Sequence, residues 1–227
     1  MKRIRFIIGW LFLLCCTPIG AQETDWSEVF GRDTMFIKTI VSKWASKPIK
    51  VTAANQKARI HDFAKAFCSQ YTGYSPNAGM VDYLKKPGKY TWEEKHYYVD
   101  DAPSNGYIKC DRGGQFDHMT EICYWRRPNG HSLVGVLMQM GFEGEGTVNK
   151  YALLFYDYDP NTRTMTPDMK VYNTVKSIVK THRGTPNFRL PQEGKDIEVY
   201  SAEWVGTEDE DFFFDDFQLK WTGNGFK

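Results

Sequence analysis

The run from Ser132 to Phe142 is apolar on both of its faces. Successive strand residues point to opposite sides, so Val134, Val136, Met138, Met140 and Phe142 line one side while Leu133, Gly135, Leu137, Gln139 and Gly141 line the other. A strand of this kind must be covered twice, which places it centrally in a sheet between two layers. Tyr151 to Tyr156 repeats the pattern after the turn Glu143-Gly144-Glu145-Gly146. On the other side, Pro128-Asn129-Gly130 joins the run to a strand from Met119 to Arg126, and Asn-Gly there is a strong hairpin signal.

The two-residue period begins near Lys95. Tyr97 and Val99 open a strand, and Ser104-Asn105-Gly106 turns the chain into Tyr107 to Cys110. Two late strands are expected from Asp196 to Val205 and from Asp216 to Trp221. Ahead of this region the period is helical. Thr24 can cap a helix carrying Trp26, Val29, Phe30, Ile37, Ile40, Val41 and Trp44 up to Pro48. Ile60, Phe63, Ala64, Phe67 and Tyr71 form one face of a second helix that Gly73 ends, and a third, from Asn77 to Lys85, closes at Pro87-Gly88. Thr166 to Thr181 reads two ways: Thr166 as cap, Pro167 at the first helical position and Gly184 as stop favour a helix. The β-branched residues Val171, Thr174, Val175, Ile178 and Val179 favour strands.

The expected class is therefore α+β, with N-terminal helices packed on one face of a curved, mainly antiparallel sheet formed by the C-terminal two-thirds. The other face is left to the C-terminal segments or a ligand cavity. This element order is similar to the cone-shaped arrangement of the nuclear transport factor 2-like family, whose members bind varied ligands. The resemblance lies in element order alone and assigns no residue a role.

The first 21 residues read as a secretory leader: Lys2, Arg3 and Arg5, then an apolar stretch from Ile7 to Leu14, then Thr17-Pro18-Ile19-Gly20-Ala21. Cleavage after Ala21 leaves residues 22–227 as a single domain, secreted or periplasmic, with no transmembrane anchor. A lipoprotein leader would place acylation at Cys15 or Cys16, but Leu14 and Cys15 are not the small residues such a site requires. The leader takes three cations with it, and the whole chain has 29 Lys and Arg against 28 Asp and Glu, so no global positive field attracts nucleic acid. Three cysteines stay behind in an oxidising compartment. Cys110 and Cys123, on neighbouring strands, are the expected disulfide, with three unpaired buried thiols, Cys68 included, as the alternative.

Candidate chemistry is sparse. Asp157, Asp159 and Asn161 alternate as calcium ligands do, with Asp168 twelve positions into the loop, but Thr162 stands where a calcium loop needs glycine. The acidic block Glu208 to Asp211 flanks Phe212-Phe213-Phe214 as a solubilising loop or cation rim. His61, His96, His118, His131 and His182 form no zinc signature, and His118, Cys123 and His131 only flank one hairpin. Cys68 with His61, and Ser132 beside His131, are the nearest approach to a nucleophile and base. No cofactor or metal fingerprint occurs, and no catalytic residue is assigned. Aromatic residues are 15% of the chain, and Tyr97, Tyr98, Tyr124, Trp125, Tyr151, Tyr156, Tyr158, Tyr200, Trp204 and Trp221 all fall in or beside strands. Such rings suit either a sheet core or a pocket that stacks on sugars and peptides. The expectation is an exported, non-enzymatic binding or interaction module whose small-molecule, glycan or protein partner sits against an aromatic sheet face. The alternative is a small exported hydrolase with dispersed catalytic residues.

Overall fold

A computed structural model describes residues 37–53, 57–87, 97–112, 118–140, 150–182, 186–201 and 216–227. The leader, the start of the first helix, His96, Trp204, the turn at 143–146, the acidic block and the phenylalanine triplet lie outside the described residues. The first helix, α1, covers residues 37–44, followed by α2 (Ile60–Gln70) and α3 (Ser75–Lys85). Strands β1 (Ile49–Lys50), β2 (Tyr98–Ala102), β3 (Tyr107–Arg112), β4 (His118–Arg126), β5 (Ser132–Met140), β6 (Lys150–Asp159) and β7 (Thr164–Pro167) form a seven-stranded antiparallel sheet in the order β1-β7-β6-β5-β4-β3-β2. Helix α4 (Met169–Val179) follows, and β8 (Pro186–Arg189), β9 (Ile197–Ser201) and β10 (Phe217–Leu219) make a second antiparallel sheet in the order β10-β9-β8. This is the α+β architecture that the change of period implies.

Sheet register decides which residues share a face. Cys110 lies opposite Thr120, and Thr120 opposite Met138, so these side chains join Ile108, Ile122, Val134, Val136, Leu154 and Tyr156 on the face toward α1, α2 and α3. Helix α2 inserts Ile60, Phe63, Ala64 and Phe67 there, all without solvent exposure. Asp62 accepts the Arg59 N–H at 2.9 Å and so caps that helix at its start. Pro76 sits in the first turn of α3, where a missing N–H costs no helical bond. Asn77 engages the buried polar groups around it in this layer. Asn77 Oδ1 accepts from Thr120 Oγ1 at 2.7 Å and from Cys68 Sγ at 3.6 Å, and Asn77 Nδ2 donates to the Tyr71 carbonyl at 3.0 Å.

The opposite face carries Tyr107, Cys123, Trp125, Leu133, Leu137, Leu153 and Phe155, covered by Val171 and Val175 of α4 and by Phe188, Ile197, Val199 and Leu219 of the small sheet. The doubly apolar β5 is thus buried nearly throughout, between two cores. Gly135 is part of this fit, since a Cβ there would stand 2.9 Å from the Trp125 ring lying across it.

The helical reading of Thr166 to Thr181 holds for Met169–Val179, β-branched residues included, but its start is displaced. Thr166 and Pro167 end β7, and the helix starts only after Asp168, whose carboxylate accepts the Val171 N–H at 3.0 Å. Asp168, not Thr166, is the cap. The short strands β1 and β8 are additions to the sequence reading; two and four residues are too few to display a period.

Candidate functional site

Residues 190–196 run from β8 to β9 and are tied to their surroundings by three polar anchors. Glu121, on β4, accepts the Leu190 N–H at 2.8 Å. Trp125 Nε1 donates to the Lys195 carbonyl at 2.8 Å. Asp196 accepts the Trp221 N–H at 2.8 Å and meets Lys220 Nζ at 2.9 Å. These two contacts hold the Asp196 carboxyl below its usual range, the backbone N–H being the larger cause. Trp221 in turn stacks on Trp125, with centroids 5.7 Å apart and planes 23° from parallel, and both rings abut Phe226 edge-on or tilted.

Between this anchored segment, the β2–β3 turn and the end of β4 lies a cavity of about 380 Å3. Its lining includes Ser104, Asn105, Trp125, Arg126, Lys195 and Trp221, and among the described residues it contains no carboxylate and no histidine. Arg126 and Lys195 are exposed, and Trp221 is half-buried, so cations and one indole are available to a visitor. The turn itself needs glycine. Gly106 has φ +74°, and a Cβ there would meet the Tyr124 ring at 2.7 Å.

Glu121 sits behind this wall at 3% exposure and does not line the cavity. Burial pushes its carboxyl up to about 7, opposed by the Leu190 N–H and the Lys109 and Arg189 charges, with Asp111 adding to the rise. Lys109 faces Asp111 at 3.2 Å beside it. Gln139 Nε2 donates to Asn187 Oδ1 at 3.1 Å nearby, joining the two sheets.

The residues singled out for chemistry are mostly engaged elsewhere. Arg127, nearly buried, donates to Asp157, to Asp168 at 2.7 Å and to the Asn224 carbonyl at 2.9 Å. His131 Nδ1 donates to Asp157 at 2.6 Å. Asp159 accepts the Asn161 N–H at 2.8 Å, the main reason its carboxyl lies below the usual range. Asp157, Asp159, Asn161 and Asp168 therefore form a turn and a helix cap and do not converge as a cation cage. Among the described residues no cluster of three His, Cys, Asp or Glu side chains could hold a metal. His61 pairs with Asp101 at 2.8 Å, and Tyr83 donates to the same carboxylate at 2.7 Å, while Cys68 points to Asn77. Ser132 opens β5 and His131 stands just before it with its ring bound to Asp157, so the two are not paired as nucleophile and base. His118 stacks on Tyr74 in the helix-side layer, and Cys123 lies on the other side of the sheet.

The structure does not bring Cys110 and Cys123 together. Cys68, Cys110 and Cys123 are free and buried. Residues opposite one another share a face, so Cys110 goes with Thr120 toward the helices, while Cys123 goes with Tyr107 toward the small sheet. Burial raises all three thiols, Cys110 to about 12, which keeps them protonated and inert at neutral pH.

Of the strand aromatics, Tyr124, Trp125 and Trp221 line the cavity; Tyr156 and Tyr158 are core. Sequence alone points to neither Arg126 nor Lys195, since both become neighbours only through the fold. No family model, curated protein or solved structure matches this chain. Among the described residues no helix is long and apolar enough to cross a membrane.

Proposed function

We propose that this is an exported, non-enzymatic binding protein that takes an acidic sugar in the cavity between the β2–β3 turn and the 190–196 segment. The observation that carries the reading is the cavity lining: an indole face, Ser104 and Asn105 as hydrogen-bonding groups, two cations and no carboxylate. A pyranose ring presents apolar C–H patches to an aromatic plane and hydroxyls around its rim, and a uronate carboxylate adds the charge that Arg126 and Lys195 answer. Export rests on the leader at residues 1–21. The same lining supports binding over hydrolysis, because it offers no acid and base pair to a glycosidic bond.

Calorimetric titration with galacturonate and glucuronate oligosaccharides, beside their neutral counterparts, tests the reading. Saturable binding of the acidic sugars is expected, weakened roughly fivefold by Arg126→Gln and roughly tenfold by Trp221→Ala. Equal affinity for neutral and acidic sugars would remove the charge argument, and absence of binding to both would end the proposal.

A further inference from the structure

Helix α4 leaves a second cavity, of about 410 Å3, where it crosses β6 beside β8. The two cavities share no lining residue. The floor is apolar: Leu153 and Phe155 from β6, Phe188 from β8, and Val175 and Val179 from α4. Tyr151 meets Phe188 edge-on at 4.8 Å between centroids and closes one side. Among the described residues the lining contains no Asp or Glu, and its lysines, Lys176 and Lys180, stand four residues apart on one helical face. Both lysines are exposed, and neither is in an ion pair among the described residues. From Met169 to His182 the chain holds no acidic residue at all, so nothing on this helix neutralises the pair. The acid that caps it, Asp168, is at the far end and bound to Arg127.

An apolar slot with a doubly cationic lip has one complementary small occupant, a molecule with an apolar body and a single anionic head. We propose that this cavity binds a linear alkyl carboxylate. The chain lies against Val175, Leu153 and Phe188, and the carboxylate sits between Lys176 and Lys180. The volume falls within the range of small-molecule sites, roughly 300–1,000 Å3. Burial of the alkyl chain supplies the affinity, and the lysines fix which end points outward.

The test is titration of the purified protein with dodecanoate, dodecanol and dodecylamine, each below its micelle concentration, followed by calorimetry. Dodecanoate is expected to bind at one saturable site, with dodecanol weaker by roughly tenfold and dodecylamine weaker still. The double substitution Lys176→Gln with Lys180→Gln, on exposed positions, should bring dodecanoate down to the affinity of dodecanol and leave the melting temperature in place. Val179→Trp fills the slot and should abolish binding of all three. No saturable binding of dodecanoate overturns the proposal, as does equal binding of the amine, or an unchanged affinity in the lysine double variant. Because the sugar cavity shares no residue with this one, failure here leaves the sugar reading untouched, and loss of sugar binding leaves this one standing.

Discussion

On the helix side of the large sheet, closure is mainly by packed rings: Phe63, Phe67 and Tyr156 have no solvent exposure, Phe67 meets Tyr156 at 6.1 Å between centroids and Phe63 meets Tyr158 at 4.9 Å. On the other side, the small sheet and α4 touch the same strands but are fastened by individual polar bonds: Glu121 to Leu190, Trp125 to Lys195, Gln139 to Asn187 and Arg127 to Asp168. The cavity beside the 190–196 segment lies on this second side, and the one under α4 opens along β6 between α4 and Val41 of α1. A layer held by point anchors can leave concave space between them, whereas one held by area packs that space shut. The helix side therefore reads as the part that secures the fold, and the strand side as the part that can receive a ligand.

The sharpest way to break that comparison is to delete the same ring on each side. Phe63→Ala removes a side chain wedged against Tyr124 and Tyr158 and should cost about 3–5 kcal/mol. Phe188→Ala, at the edge of an existing cavity, should cost only about 2 kcal/mol, since solvent or repacking can reach the space. Denaturant unfolding of both variants measures the difference. Equal costs would mean that the two sides are packed alike.

Glu121 gives a smaller effect with a sign that only the strand side predicts. Its folded carboxyl is raised to about 7 from an ordinary 4.5, so between those values the folded chain holds a proton that the unfolded chain has released. Stability from this group is then full below pH 4.5 and declines as pH rises through 7, by on the order of 3 kcal/mol. Glu121→Gln keeps an acceptor for the Leu190 N–H and removes the charge. The variant should match the parent near pH 4.5 and melt higher than it at pH 8. A parent whose melting temperature relative to the variant rises between those pH values would contradict the burial argument.

How much of this was legible in the sequence follows the same division. The central strands, α2 and the Asn129-Gly130 hairpin were readable because long periodic runs and a turn dipeptide carry their own signal. Of the strand-side layer, β9 and β10 fall inside the expected late strands, whereas β8 did not show, because four residues are too few to display a period. The cysteines show where local reading stops. That Cys110 and Cys123 sit on neighbouring strands was visible, but the register that sends them to opposite faces, with Cys110 opposite Thr120 and Cys123 opposite Tyr107, is not announced by the residues of either strand. The aromatic signal pointed to Trp125 and Trp221 without separating them from core rings, and the cations that give their cavity a chemical preference come from unrelated segments.

Asp168 provides the finest cut, since it does two jobs on the strand side. Oδ1 caps α4 through the Val171 N–H, and Oδ2 meets Arg127 at 2.7 Å. Asp168→Asn keeps an oxygen for the cap and gives up only the charge on Arg127, which retains Asp157 as a partner; a loss of about 1 kcal/mol is expected. Asp168→Ala gives up both and should lose about 2 kcal/mol. If point anchors hold this layer, the loss in Asp168→Ala also loosens α4 over its cavity, and amide exchange in Met169–Val179 should quicken while that in α2 stays as it was. Exchange that quickened equally in both helices would mean that the two sides unfold as one unit, and that the anchors on the strand side are no more local in their effect than the packed rings on the other.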